Sequence, residues 1–133
     1  MYDVNIVLDV LQRREQHYAP SAAALALAEK EAVEGYLAAH SVTTLFYLHT
    51  RFATAERARV AITELLQFFR IAAVDHETVE QALNLPYRDF EDAVLMMAAV
   101  KCGAEYVVTR DTNDFSSGPL PVLRPVELLA LLS

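Results

Sequence analysis

Three separated groups of acidic residues in this chain have side chains and spacing that could bind a metal ion. They fall in residues 1–5, which contain Asp3, in residues 89–92, which end at Asp92, and in residues 109–115, which contain Asp111 and Asp114. Carboxylate oxygens are the ligands that Mg²⁺ and Mn²⁺ prefer in proteins. Carboxylates packed within a few ångströms repel one another unless cations or protons relieve them. If the fold gathers these acids, they predict a divalent-metal site.

The elements that must position the acids alternate along the chain. Short apolar runs predict a strand ending at Asp3 and further strands at residues 36–40, 71–74, 105–108 and 121–123. Helical periodicity and helix-start residues predict helices at residues 5–11, 21–34, 42–52, 55–69 and 75–83, then from residue 89 and from residue 125. Such alternation is typical of a parallel sheet with helices on both faces.

We therefore expect an α/β fold: one domain over residues 1–133, a three-layer α/β/α sandwich with a central, mostly parallel sheet of four to five strands. Sites in such sheets form at the carboxyl ends of the strands. Asp3 and Asp111 each follow a predicted strand, and Asp92 lies in the first turn of a helix that can reach the same edge. The order of elements thus predicts that the three acidic groups meet.

Each acid also has a purely local interpretation. Asp89, Glu91 and Asp92 fit the preference for acids at helix starts, and the acids of residues 109–118 could cap turns. Asn5 and Ser41 are plausible helix N-caps, and Asp9 is predicted to point into solvent. These interpretations do not explain why three groups fall on one sheet edge.

The overall charge restricts the partners of the chain. Eleven basic and eighteen acidic residues give a formal charge of −7, which disfavours binding to a polyanion unless bound cations reverse the local sign. Removing the four candidate ligand acids from that count leaves −3. The lone Cys102 favours a reducing compartment, and no segment is long and apolar enough for a membrane span, so we expect a cytoplasmic protein. The Ala- and Leu-rich helices predict self-association, most simply as a homodimer.

The motifs resemble those of the PIN-domain nuclease family, in particular its VapC-like toxin branch. Residues 3–5 are similar to the family's opening Asp-x-Asn element, and Asp92-Ala93 is similar to its acidic helix start. Residues 109–115 are similar to its Thr-x-Asp…Asp-Phe segment, which is the most specific of the three motifs. The resemblance covers nearly the whole chain, in order.

The resemblance implies a Mg²⁺- or Mn²⁺-dependent endoribonuclease that acts as the toxin of a toxin–antitoxin pair, with RNA as substrate and a protein antitoxin as partner. It implies catalytic, metal-binding roles for Asp3, Asp92 and Asp111, with Asp114 as a further metal ligand. It implies supporting roles for Asn5 and Thr109, and Arg110 within the same motif is a candidate to bind substrate.

One departure from the family pattern leaves a second function open. The family's Ser-x-x-Thr-Leu-x-Glu helix reads Ser-Val-Thr-Thr-Leu-Phe-Tyr at residues 41–47, so Tyr47 stands where a Glu is expected. A phenol is not a hard anionic ligand at neutral pH. Either Glu91 or Asp89 compensates, or the remaining acids suffice, or the chain is a weakened PIN-like module that binds RNA or protein. A phosphatase or receiver-like domain with an Asp nucleophile near Asp3 would need a catalytic Lys near a strand end. This function ranks low, because Lys30 and Lys101 both lie within predicted helices.

Overall fold

The computed structural model describes residues 1–115 and 117–133. Within these residues the helices are α1 (Val4–Leu11), α2 (Tyr18–Glu29), α3 (Ala39–Phe52), α4 (Ala55–Leu65), α5 (His76–Ala82), α6 (Phe90–Lys101) and α7 (Pro125–Leu132), with a 3₁₀ turn at Thr112–Phe115. The strands are β1 (Gly35–Ala38), β2 (Phe69–Ala72), β3 (Val107–Val108) and β4 (Val122–Leu123).

The strands form two parallel pairs that the first residues of the chain join. β1 pairs with β2 from Gly35↔Phe69 to Ala38↔Ala72, and β3 pairs with β4 from Val107↔Val122. Between the pairs, Tyr2 N donates to Tyr36 O at 2.9 Å, while Val108 N donates to Met1 O at 2.8 Å. The hydrogen-bonded order is therefore β2, β1, residues 1–3, β3, β4, which confirms the predicted α/β class with parallel strands.

Helices cover both faces of this sheet. One apolar cluster joins α1, α2 and α3 to the sheet through buried residues that include Tyr2, Ile6, Val7, Ala24, Leu37 and Leu45. The other joins α6 to the opposite face through Ala38, Ala72, Leu95, Met96, Ala99 and Val107. Gly35 lies where α2 and the sheet come closest: a Cβ there would be 2.8 Å from both Ala28 Cβ and the Phe69 ring. A side chain at that position would force α2 off the sheet.

Several predicted element boundaries were wrong. α2 ends at Glu29 rather than residue 34, and α4 ends at Leu65 rather than residue 69. β2 begins at Phe69, because the Phe69 ring packs edge-on against Tyr2 at 5.1 Å in the sheet core instead of extending a helix. The predicted strand at residues 105–108 shortens to Val107–Val108, and the one ending at Asp3 reduces to a single bridge at Tyr2.

The cap predictions had mixed outcomes. Asp75 and Asp89 cap α5 and α6, since their side chains accept hydrogen bonds from Thr78 N and Glu91 N. Ser41 is not a cap: α3 begins at Ala39, and Ser41 is buried inside it. Asn5 is not a cap either, because α1 begins at Val4 with Asp3 as its N-cap residue. The side chain of Asn5 is therefore available for other partners.

The prediction that Asp9 points into solvent was wrong. Its exposed fraction is 0%, because α2 packs over that side of α1. The carboxylate accepts from Ser21 Oγ at 2.8 Å and pairs with Arg110 Nε at 2.8 Å, while Arg14 Nη1 lies 3.5 Å away. A buried carboxylate needs such partners, since an unpaired charge in the interior is costly.

The helices of the described residues are also too short or too polar to act as membrane spans.

Candidate active site

Thr109 is the hydrogen-bonding centre of the candidate site. It is fully buried directly after β3, and its Oγ1 donates to Asp3 Oδ2 at 2.8 Å. The same oxygen accepts from Asn5 Nδ2 and from Asp111 N, both at 3.2 Å. Asn5 Nδ2 also lies 3.2 Å from Asp111 Oδ2. The structure thus brings together four of the residues singled out in the sequence.

The local fold explains this meeting of the two chain ends. Asp3 N donates to Val108 O at 2.9 Å, so residues 1–3 and β3 run side by side and leave the sheet at the same edge. Thr109 N donates to Leu123 O at 2.9 Å, which continues the β3–β4 pairing by one residue. Side chains at the carboxyl ends of neighbouring parallel strands then face one another.

Asp92 lies in the first turn of α6, half-buried, with its pKa raised to about 7. Burial is the largest cause, followed by the negative charges of Asp89, Asp3, Asp114 and Glu91. Burial likewise raises the pKa of Asp3, and Asp111 adds to the effect, while the hydrogen bond from Thr109 opposes it. The acids of all three sequence groups therefore act on one another electrostatically.

A pocket of about 340 Å³ opens beside Asp92, between the start of α6 and the 3₁₀ turn. Asp89, Asp92 and Asp114 all line it. The hydroxyl of Tyr87 donates to Phe115 O at 3.1 Å, and the two rings pack edge-on at 5.8 Å. This contact ties the segment before α6 to the turn that carries Asp114.

The carboxylate oxygens of this edge suit a hard divalent cation, but they are not arranged as a complete set of ligands. Among residues 1–115 and 117–133, no three His, Cys, Asp or Glu side chains are placed to hold one ion. Burial first, and then the negative charge of the neighbouring acids, raises the pKa of Asp92, and a bound cation would offset both by stabilising the charged carboxylate. Asn5 holds Asp111 on the side of Thr109, whereas the exposed Asp114 side chain has room to turn towards Asp92.

Tyr47 is exposed and contacts Arg51 rather than an acid. Its side chain is 58% exposed, its hydroxyl accepts from Arg51 Nη1 at 3.3 Å, and the Arg51 guanidinium lies 5.6 Å from the ring centroid. One turn earlier on α3, Thr44 Oγ1 lies 3.4 Å from Glu91 Oε2. Glu91, an acid of α6, therefore reaches this part of α3.

Two residues at this edge were missed in the sequence. His40 places Nε2 3.0 Å from Glu91 O and so joins the starts of α3 and α6. Asp9 holds Arg110, the residue between Thr109 and Asp111, through the 2.8 Å ion pair. The only sequence signal for Asp9 was a charged residue in an otherwise apolar helix, and it was not enough to predict burial.

Comparison with known families shows where the chain belongs. A family model described as the PIN domain matches residues 1–113. The chain is a member of the PIN-domain family. The matched region of this PIN domain contains Asp3, Asp92 and Asp111, whereas Asp114 lies one residue beyond it.

Solved structures agree with the PIN fold. A toxin–antitoxin complex from Klebsiella pneumoniae contains a chain that is 24% identical, with a TM-score of 0.69 over 93% of this chain and 95% of that chain. A structure of FitAB bound to an IR36 DNA fragment contains one that is 20% identical, with a TM-score of 0.66 over 93% of each chain. No curated protein sequence matches this PIN domain.

Proposed function

We propose that this PIN domain is a Mg²⁺- or Mn²⁺-dependent endoribonuclease that hydrolyses RNA phosphodiester bonds. The observation that carries the proposal is the convergence of Asp3, Asn5, Thr109 and Asp111 through hydrogen bonds of 2.8–3.2 Å, with Asp92 coupled to them by charge. Asp3, Asp92 and Asp111 are the proposed catalytic metal ligands, and Asp114 is a further ligand.

The residues of the chain have distinct roles in this mechanism. Thr109 fixes one oxygen of Asp3, and Asn5 orients Asp111, so that the carboxylates are held before a cation arrives. A bound divalent cation supplies a water of lowered pKa and positive charge for the scissile phosphate. Asp92 must lose its proton to serve as a ligand, and Arg110 adds positive charge for the substrate.

The proposal extends to the biological setting. The two similar structures are described as a toxin–antitoxin complex and as FitAB on DNA, which supports a toxin role with a protein antitoxin as partner. Exposed apolar side chains on α3 and α4, including Phe52 at 60% and Val60 at 53%, support self-association as a homodimer. The unpaired Cys102 favours action in the cytoplasm.

A catalytically weakened module that binds RNA or protein is the second candidate. Tyr47 in the position of the expected Glu favours it, because α3 then contributes no carboxylate to the edge.

Metal titration together with RNA cleavage separates the two candidates. We expect isothermal titration calorimetry to detect Mn²⁺ binding and a gel assay to show cleavage of single-stranded RNA. Asp92→Asn and Asp111→Asn should abolish cleavage while circular dichroism stays unchanged, whereas Glu64→Gln, an exposed α4 residue, should cleave normally. Absence of Mn²⁺ binding at millimolar concentration contradicts the nuclease and favours the binding module.

A further inference from the structure

A second pocket, of about 310 Å³, borders the acidic site and shares Asp111 with it. Two arginines line this pocket, Arg110 after β3 and Arg124 at the start of α7. Pro20, Pro125 and Val126 give it an apolar wall. Its volume is at the lower end of the range for small-molecule sites, roughly 300–1,000 Å³.

Each arginine pairs through its Nε atom with a carboxylate of this chain. Arg110 Nε pairs with Asp9 Oδ2 at 2.8 Å, and Arg124 Nε pairs with Glu127 Oε1 at 3.2 Å. Within the described part of the chain, neither guanidinium donates a hydrogen bond from its Nη nitrogens. The buried Asp9 therefore orients the planar fork of Arg110 firmly, the exposed Glu127 orients that of Arg124 more weakly, and the terminal donors of both remain available.

Asp9 makes the orientation of Arg110 firm. This carboxylate is completely buried and also accepts from Ser21 Oγ at 2.8 Å, so solvent cannot compete for the ion pair. The Arg110 side chain is 23% exposed, and its exposed part borders the pocket. Asp9 pairs with Arg14 as well as with Arg110, so these three side chains carry one net positive charge, which favours an anion beside Arg110.

The ligand that matches this lining carries a phosphate and an apolar ring system. Oriented guanidinium groups recognise phosphate oxygens in a bidentate manner. Proline and valine side chains offer flat apolar area against a ribose or a base. Asp111 also lines the pocket and opposes an anion there, so the two arginines must outweigh it in a chain whose formal charge is −7.

We propose that this pocket binds one nucleotide of the RNA chain next to the scissile bond, with its phosphate on Arg110 and Arg124 and its ribose or base against Pro20 and Val126. The proposal rests on the nuclease function proposed above. It adds a binding subsite that fixes the direction in which the RNA leaves the acidic edge.

The test is nucleotide binding by the full chain without metal. In EDTA, 5′-AMP should shift the backbone amide NMR signals of Ser21, Arg124 and Val126, and adenosine or inorganic phosphate alone should bind more weakly. Arg124→Gln should weaken 5′-AMP binding roughly tenfold, which is the low end for a hydrogen bond to a charged group. Arg124 is exposed, so its loss leaves no buried charge unpaired.

Arg70→Gln is the matched control, because Arg70 is an exposed arginine on β2 that also pairs with a glutamate, Glu34, at 3.8 Å. It should bind 5′-AMP as the wild type does. For single-stranded RNA, the salt dependence of binding should fall by about 0.7 in log–log slope for Arg124→Gln, as expected for one lost phosphate contact.

Three results would overturn the proposal: 5′-AMP shifts confined to other parts of the chain, equal binding by Arg124→Gln and Arg70→Gln, or binding of an acidic peptide in place of 5′-AMP. Nucleotide binding in EDTA without RNA cleavage in Mn²⁺ supports the subsite and contradicts the nuclease. RNA cleavage in Mn²⁺ by a protein that shows no 5′-AMP binding at this pocket supports the nuclease and contradicts the subsite.

Discussion

Replacing Asp92 by Asn should stabilise the metal-free protein at alkaline pH. Asp92 has a pKa of about 7 in the folded chain against 3.8 as its ordinary value, with burial as the main cause and the neighbouring acids next. Between these values the folded state holds a proton that the unfolded state has released. The stability contributed by protonated Asp92 is therefore lost as pH rises from about 4 to about 7.

The size of the effect follows from the shift. About three pKa units correspond to about 4 kcal/mol at full burial, and the half-exposed position of Asp92 reduces this to roughly 1–2 kcal/mol through solvent screening. For a chain of this length, 1 kcal/mol moves the melting temperature by roughly 4 °C. Asn has the same shape but does not titrate, so the variant escapes the loss.

The assay is differential scanning fluorimetry in EDTA at pH 5 and pH 8. The melting temperature of Asp92→Asn minus that of the wild type should increase by roughly 3–5 °C between the two pH values, because about two thirds of the stability is lost between pH 5 and pH 7 and the rest below pH 5. Glu64→Gln, an exposed acid on α4, should show a difference that does not change with pH. A difference for Asp92→Asn that is the same at pH 5 and pH 8 would refute the raised pKa of Asp92 in the folded protein.

Three further predictions concern the edge and its supports. Thr109→Val should weaken Mn²⁺ binding in calorimetry by tenfold or more, because Asp3 and Asp111 lose their shared hydroxyl. Thr109→Ser keeps the hydroxyl and should retain most of the Mn²⁺ affinity. Tyr47→Glu should tighten Mn²⁺ binding and raise RNA cleavage, whereas Tyr47→Gln should do neither; equal behaviour of the two would show that charge at this position is irrelevant. Hydrogen bonds from Thr78 and then Lys101 hold the pKa of Asp75 well below its ordinary value, so its stabilisation is lost as pH falls below 4, and the gap in melting temperature between Asp75→Asn and the wild type should close in acid.

The sequence predicted the candidate edge better than it predicted the elements that form it. Asp3, Asn5, Thr109 and Asp111 could be grouped because two short apolar runs end at Asp3 and Thr109, and parallel strands exit at a common edge. What could not be predicted was the length of those strands. Each is paired over only one or two residues, because most of the burial is supplied by α1 and α6 rather than by the strands.

Asp9 shows a second limit of prediction from sequence. Helical periodicity places it beside apolar residues but does not say what covers the remaining face. That face is closed by α2 and by Arg110, which is 101 positions further along the chain. Long-range pairing of this kind leaves no local pattern, and neither does the choice of Ala38 over Ser41 as the N-cap residue of α3.

The position of residues 1–3 in the middle of the sheet has a consequence for synthesis on the ribosome. This segment precedes its partner β3 and the hydroxyl of Thr109 by more than 100 residues, so it is synthesised well before them. A nascent chain whose β4 has not yet emerged from the ribosome therefore carries Asp3 and Asp92 without Asp111 in place. If the domain cuts RNA, its site stays incomplete until β3 and β4 have left the ribosome, which delays cleavage of the message that encodes it.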